Sequence, residues 1–209
     1  QNTLQGFLIP MFVLGGFALL LMLEPDFGSV VVIATTILGM LFLGGVRVKN
    51  FLILVPFILC VLGFLAVSSS YRVQRFIAFR DPWADQFNSG YQLVQSLIAF
   101  GRGAWFGTGL GGSIQKLLYL PESHSDFIFA VIAEELGLIG VLSVMVLYGI
   151  LIFRAMEIGR KAKLAGLEYG GNLAYGIGLL ITLQTLINIC VNVGLLPTKG
   201  LTLPLKIGR

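Results

Sequence analysis

The sequence predicts an all-α polytopic membrane protein, and three observations carry that expectation. Hydrophobic residues make up 56% of the 209 residues and charged residues only 11%, whereas soluble globular chains carry about a quarter charged residues. The mean hydropathy is +0.92. The apolar residues also fall in runs of roughly 17 to 25, the length that crosses about 30 Å of hydrocarbon as a helix, and not in the alternating segments of about ten that a barrel requires.

Five runs are marked as spans: 7–23, 27–46, 51–67, 127–153 and 172–196. They form a single membrane domain over 1–209 with one long intervening loop, 68–125. The two cysteines, Cys60 and Cys190, lie inside the third and fifth runs, where a thiol packs as a small hydrophobe and no disulfide framework is suggested. The first run has no basic region before it, so it does not read as a signal peptide, and an odd number of spans suggests a piece of a larger protein.

Arg47 and Lys49 follow the second run, and Arg154, Arg160, Lys161 and Lys163 follow the fourth. The positive-inside rule places both loops in the cytoplasm, which puts loop 68–125 outside. No internal repeat is present to argue for an inverted-repeat transporter.

The outer loop carries the candidate chemistry, because loops longer than about 15 residues are usually functional or disordered, and this one lacks a disordered composition. Tyr71, Phe76, Phe79, Trp83, Phe87, Tyr91, Phe100, Trp105, Phe106 and Tyr119 suit a membrane interface. The stretch YQLVQSLIAF, 91–100, places Gln92, Gln95, Ser96 and Ala99 on one face of a short interfacial helix, with Leu93, Val94, Leu97 and Ile98 largely on the rest. GRGAWFGTGLGG, 101–112, has six glycines in twelve residues. They serve tight turns or backbone contact with an anion, and no preceding strand makes them a dinucleotide fingerprint. Arg72, Arg75 and Arg80 follow the third run, where they either anchor to headgroups or clamp a diphosphate.

Asp126 stands at the lip of the fourth run, after Glu122 and His124 and not far in sequence from Lys116. A carboxylate there can cap the helix, but ionisable groups near a membrane core are more often functional. Beneath it Ala130, Ala133 and Gly137 form a face small enough for another helix or a lipid chain to approach. Glu134 and Glu135 follow about 12 Å further along. They must face the interior, meet polar groups or stay protonated. Gln184, Asn188 and Asn192, at i, i+4 and i+8 of the fifth run, offer partners, so these five residues are read as a structural polar network in preference to a proton path. With one histidine and two cysteines in apolar runs no metal-site spacing exists, although a loop carboxylate such as Asp126 with a diphosphate could hold Mg²⁺.

EPDFGS at 24–29, DPWADQFNSGYQLVQSLIAFGRG at 81–103, YLPESHSDFIFAVIAEELG at 119–137 and LLPTKGLTLPL at 195–205 resemble the SEDS family, the shape, elongation, division and sporulation proteins. The Trp after Asp-Pro, the Gln of SGYQ and the wording LPTKGLTLPL look more like the division members than the elongation members. The resemblance implies middle and later helices of a larger bundle, and it departs after Leu205, where this chain reads KIGR in place of a Ser-Tyr-Gly-Gly-type stretch.

It also implies an activity, a peptidoglycan glycosyltransferase that polymerises lipid II in septal wall synthesis beside a class B penicillin-binding protein transpeptidase and other divisome membrane proteins. The expected location is the bacterial cytoplasmic membrane at the division septum, among membrane lipids and with no nucleic acid. Asp126 matches the family's essential aspartate and is the expected catalytic residue; Arg75 matches an arginine implicated in holding the lipid diphosphate. The substrate-binding candidates are Arg72, Arg75, Gln92, Gln95, Lys116, Glu122, His124 and Lys199. A diphosphate is already a good leaving group, so the reaction needs a base and cations more than a second carboxylic acid. Two alternatives remain. A lipid II flippase would depend on Glu134 or Gln184 more than on Asp126, and a non-catalytic divisome scaffold would tolerate loss of Asp126.

Overall fold

The computed structural model describes residues 4–23, 26–45, 48–68, 70–116, 120, 125–198 and 202–205, without the side chains of 4–11, 48–51, 66, 71, 72 and 76. All regular structure among them is helical. In chain order the helices are α1 (Leu4–Leu23), α2 (Phe27–Leu43), α3 (Val48–Val67), α4 (Ser70–Arg80), α5 (Tyr91–Gly103), α6 (Ile128–Leu164) and α7 (Glu168–Asn192). Both α6 and α7 are long and apolar enough to cross a membrane, and shorter apolar helical stretches occupy Phe12–Leu23, Phe27–Leu43 and Leu52–Leu65.

The chain divides into two compact units. The first is Gln1–Ser68 with Leu151–Leu183, the second Ser69–Ile150 with Gln184–Arg209, so α6 and α7 each contribute to both. In the first unit Leu14, Ala34, Leu41, Leu54 and Ile58 form the core of α1, α2 and α3. Asp26 caps α2, accepting from the Ser29 backbone N–H at 3.0 Å and from its hydroxyl, which satisfies one of the otherwise free first-turn donors.

α6 runs well past Phe153, where the apolar run was expected to end. Glu157 explains the extension, because it pairs with Arg154 at 2.9 Å and with Lys161 at 2.8 Å, the i,i+3 and i,i+4 spacings that support a helix. Lys163 Nζ lies 5.2 Å from the centroid of the Tyr175 ring, a cation–π contact. Thus basic residues expected in a connecting loop stand on helical turns. The helix stops at Gly166, with Leu167 N–H donating to the Ala162 carbonyl at 2.9 Å.

The second unit holds α4 and α5, which lie within the stretch read as the outer loop. The Asp81-Pro82 step stops α4, since a residue before proline is disfavoured in the helical region. α5 buries Leu93, Val94, Ser96, Ala99 and Gly103. This buried side takes residues from both faces anticipated for the helix, because Ser96, fully buried, donates its hydroxyl to the Asn192 carbonyl at 2.7 Å and so carries no unsatisfied polar group inside.

α6 is interrupted at Gly137, which has φ 67° and ψ −164°. The break frees backbone groups that cannot be left bare in an apolar setting. They pair with the glycine-rich stretch: Thr108 and Gly109 N–H donate to the Glu134 and Glu135 carbonyls at 2.9 and 3.0 Å, while Leu138 and Ile139 N–H donate to the Ala104 and Trp105 carbonyls at 2.9 and 3.3 Å. The approach is so close that a Cβ on Gly137 would lie 2.4 Å from the Gly107 nitrogen and 2.6 Å from the Trp105 carbonyl carbon. What lies against the small residues of α6 here is therefore the end of α5 and the segment after it.

Gly137→Ala adds left-handed strain and a backbone clash at once, so a loss of roughly 3 kcal/mol or more is expected. Gly149→Ala, also on α6 but with open space around its Cβ, should be neutral to within about 1 kcal/mol. Thermal midpoints of the two purified variants in one detergent check the contrast.

Candidate functional site

Asp126 is half-buried just before the first residue of α6. Its backbone carbonyl accepts from Asn188 Nδ2 at 2.9 Å and Asn192 Nδ2 at 3.0 Å. Asn192 also offers its Oδ1 to the Ala130 N–H at 3.2 Å, a first-turn donor of α6 that it shares with the Phe127 carbonyl at 3.1 Å, and its Nδ2 lies 2.9 Å from the Asn188 carbonyl. Both asparagines are buried, at 1% and 0% exposure, so these amides have no water to turn to. Phe127 and Ala130 pack with Ala99 of α5 and Leu120.

Of the polar residues expected to form one network, Asn188 and Asn192 meet one part of the chain and Glu134 another. Asn188 and Asn192 hold the start of α6, whereas Glu134 is gathered by the glycine-rich stretch. Glu134 is 0% exposed, and its Oε1 meets Arg102 Nη1 at 2.9 Å and the Ile114 N–H at 3.3 Å. Its Oε2 accepts from the Ser113 hydroxyl and from the Gln115 N–H at 3.3 Å. Four donors from one stretch of chain thus converge on a single buried carboxylate, which offsets its desolvation. Glu135 differs: its Oε1 is buried with no hydrogen-bond partner among the described residues. Gln184 is half-buried on α7.

Arg75 on α4 donates from Nη1 to the Thr198 carbonyl at 3.0 Å, tying α4 to the segment that follows α7. That segment turns at Gly194, with Leu195 N–H donating to the Cys190 carbonyl at 2.7 Å. Arg75 and Gln92 line the same cavity, of about 790 Å³, together with Asp81, Asp85, Asn88 and Ser89. Gln95 is half-buried on α5, and Lys116 is exposed with its backbone N–H donating to Ser113 Oγ at 3.1 Å. Glu122, His124 and Lys199 lie outside the described residues, as does the Arg72 side chain. Arg102, Ser113 and Thr198 were not among the sequence candidates. Arg102 was open to discovery, since a buried glutamate demands a cation and only Arg102 and Lys116 stand within the preceding thirty or so residues.

No group of three His, Cys, Asp or Glu side chains that could hold a metal occurs among the described residues.

In the cavity wall, hydrogen bonds from the Ser89 hydroxyl, Asn88 Nδ2 and the Ser89 N–H hold the Asp85 carboxyl below the usual carboxylate range. A lowered folded value stabilises the turn above the ordinary carboxyl pKa and loses that support as pH falls through the lowered value. Trp83 fluorescence should accordingly shift in acid, and Asp85→Asn should remove the shift. Asn192→Ala removes one donor to the Asp126 carbonyl and one of the two acceptors of the Ala130 N–H, and is expected to cost about 2 kcal/mol in a detergent unfolding titration.

A family model described as a cell cycle protein, covering FtsW, RodA and SpoVE, matches residues 1–206. The "Probable peptidoglycan glycosyltransferase FtsW" of Nitrosococcus halophilus is 59% identical over 204 residues, covering 98% of this chain and 53% of that protein. Its namesake in Legionella pneumophila is 60% identical over 204 residues, 98% of this chain and 52% of that one, and that in Coxiella burnetii is 57% identical over 204 residues, 98% and 55% respectively. The chain spans about half the length of the curated relatives it matches. A chain from a solved structure, described as showing structural coordination of polymerization and crosslinking by a peptidoglycan synthase complex, shares the fold with a TM-score of 0.72 at 24% identity, over 96% of this chain and 55% of that one. Matched by the family model along nearly its whole length, the chain belongs to the FtsW, RodA and SpoVE family of cell cycle proteins.

Proposed function

We propose that the full-length protein is a septal peptidoglycan glycosyltransferase that polymerises lipid II, with Asp126 as its general base. The observation that carries this reading is the construction around Asp126: two buried amides and a capped first turn fix the backbone of one half-buried carboxylate at the head of an apolar helix. Such a carboxylate can reach a sugar outside while the lipid tail of the same substrate stays in the bilayer. Curated relatives named as peptidoglycan glycosyltransferases support the same reading.

In the proposed step the 4-hydroxyl oxygen of an acceptor GlcNAc forms a bond to the anomeric carbon of the donor MurNAc. The bond from that carbon to the undecaprenyl diphosphate breaks with inversion, and its electron pair leaves on the diphosphate. The hydroxyl proton passes to the Asp126 carboxylate. Positive charge must meet the leaving group, and Arg75 and Lys116 supply it, joined by Arg72 and Lys199. Gln92, which lines the same cavity as Arg75, and Gln95 orient sugar hydroxyls or phosphate oxygens, with Glu122 and His124, close to Asp126 in sequence, as further substrate contacts. Mg²⁺, if bound, would neutralise diphosphate charge, with Asp126 the chain's own contribution to it.

The five apolar stretches would span the bacterial cytoplasmic membrane, with 68–125 outside and the basic turns after α2 and near the end of α6 inside. The partner would be a class B penicillin-binding protein that crosslinks the new strands, a pairing favoured by the fold shared with a synthase complex that both polymerises and crosslinks. Other divisome membrane proteins would complete the assembly.

Asp126→Asn keeps the size of the side chain and removes the base. In gel-resolved lipid II polymerisation by the full-length protein with its transpeptidase, the rate should fall roughly 10²- to 10⁴-fold while the complex still forms. Undiminished glycan chains would return the protein to transport or scaffolding.

A further inference from the structure

Glu134 lies two turns after Asp126, on the unbroken part of α6 before Gly137. Its carboxylate collects Arg102, Ser113 and the N–H groups of 114 and 115, all from the chain that leads to Lys116. Ser113 is the link: its hydroxyl donates to Glu134 Oε2, and the same oxygen accepts the backbone N–H of Lys116 at 3.1 Å. Ser113 is 1% exposed and Gln115 5% exposed, so the turn at 113–116 is seated and not merely resting on a surface. Lys116 itself is exposed. A buried charge with four donors has one low-energy arrangement, and a group hydrogen-bonded to it inherits that arrangement.

We infer that Glu134 is a positioning residue: acting through Ser113, its buried carboxylate sets the place of Lys116 relative to Asp126, so that one helix fixes both the base and a cation for the departing diphosphate. This inference rests on the glycosyltransferase reading above. It gives the second carboxylate of α6 a part in the site, and it gives the glycine-rich stretch a reason to fold onto the break in that helix. Glu134 touches no substrate in this account. Its influence passes along the 113–116 turn, where Ser113 is the side chain that meets both Glu134 and the Lys116 N–H.

The test is a double-mutant cycle on lipid II polymerisation by the full-length protein in complex with its transpeptidase, with thermal midpoints matched. Lys116→Ala should slow the reaction about a hundredfold, as loss of a charge-stabilising donor does. Ser113→Ala should slow it about tenfold in the wild-type background, the scale of losing an orienting partner. Placed on Lys116→Ala, it should add nothing. A merely structural serine would cost the same tenfold in both backgrounds, and that result, or an undiminished rate in Lys116→Ala, overturns the inference. Should Ser113→Ala not fold, Glu134→Gln, which keeps the volume and drops the charge, takes its place with the same expectation. Asp126→Asn run alongside separates the two levels. If it is inactive while the cycle is additive, only the positioning role fails; if it is fully active, the glycosyltransferase reading fails and the inference with it.

Discussion

Two side-chain amides of α7 grip the carbonyl of Asp126, and the placement of the whole first section of α6 depends on that grip. Helix starts leave backbone donors unsatisfied, and in an apolar protein water is not at hand to take them. Asn192 answers both needs with one group, donating to Asp126 and accepting from Ala130. Because Asn188 and Asn192 stand one turn apart on a rigid helix, the bracket acts as a unit. Ser96 of α5 binds the backbone of the same Asn192, so α5, α6 and α7 are referenced to one buried point.

The second constraint comes a little further along, where α6 breaks at Gly137. An uninterrupted helix would keep its carbonyls to itself. With the break, the carbonyls of Glu134 and Glu135 and the N–H groups of Leu138 and Ile139 become the docking edge for 104–109, and Gly103, Gly107 and Gly137 are the places where only a hydrogen fits between two backbones. Glu134 then supplies a charge that Arg102 and three hydrogen-bond donors meet. Only the carboxylate of this pair is buried, the Arg102 side chain being 37% exposed; such a pair contributes little net stability compared with apolar packing, but leaving the buried carboxylate without its donors is costly, so its value lies in specifying one arrangement.

Much of the helical plan was legible in the residues, because apolar run length reports helices directly. The end of α6 was less so: charge marked 154–163 as a loop, while the Glu157 pairs with Arg154 and Lys161 are a helical feature of the same residues. Asp126 was visible as a carboxylate at the head of an apolar run, and Asn188 and Asn192 as a polar stripe of helical period. Which group the stripe would meet was not visible, since it depends on the axial offset of α7 against α6, and the amides meet the Asp126 backbone and not the two glutamates. The small residues Ala130, Ala133 and Gly137 announced a close approach without revealing that the end of α5 and the turns after it would make it. Arg75 stood out by resemblance, but its bond to the Thr198 carbonyl, more than 120 residues away, follows from tertiary structure alone.

In the proposed function Asp126 is the place where the sugar outside meets the lipid-linked end of the same substrate. The most direct test of that claim is a structure of the full-length protein with its transpeptidase and a non-transferable lipid II analogue, read as the distance from the Asp126 carboxylate to the acceptor 4-hydroxyl. Hydrogen-bond distance, about 3 Å, with the diphosphate toward Arg75 and Lys116 is the expected result. A bound analogue whose sugars and diphosphate lie away from Asp126 would contradict the account.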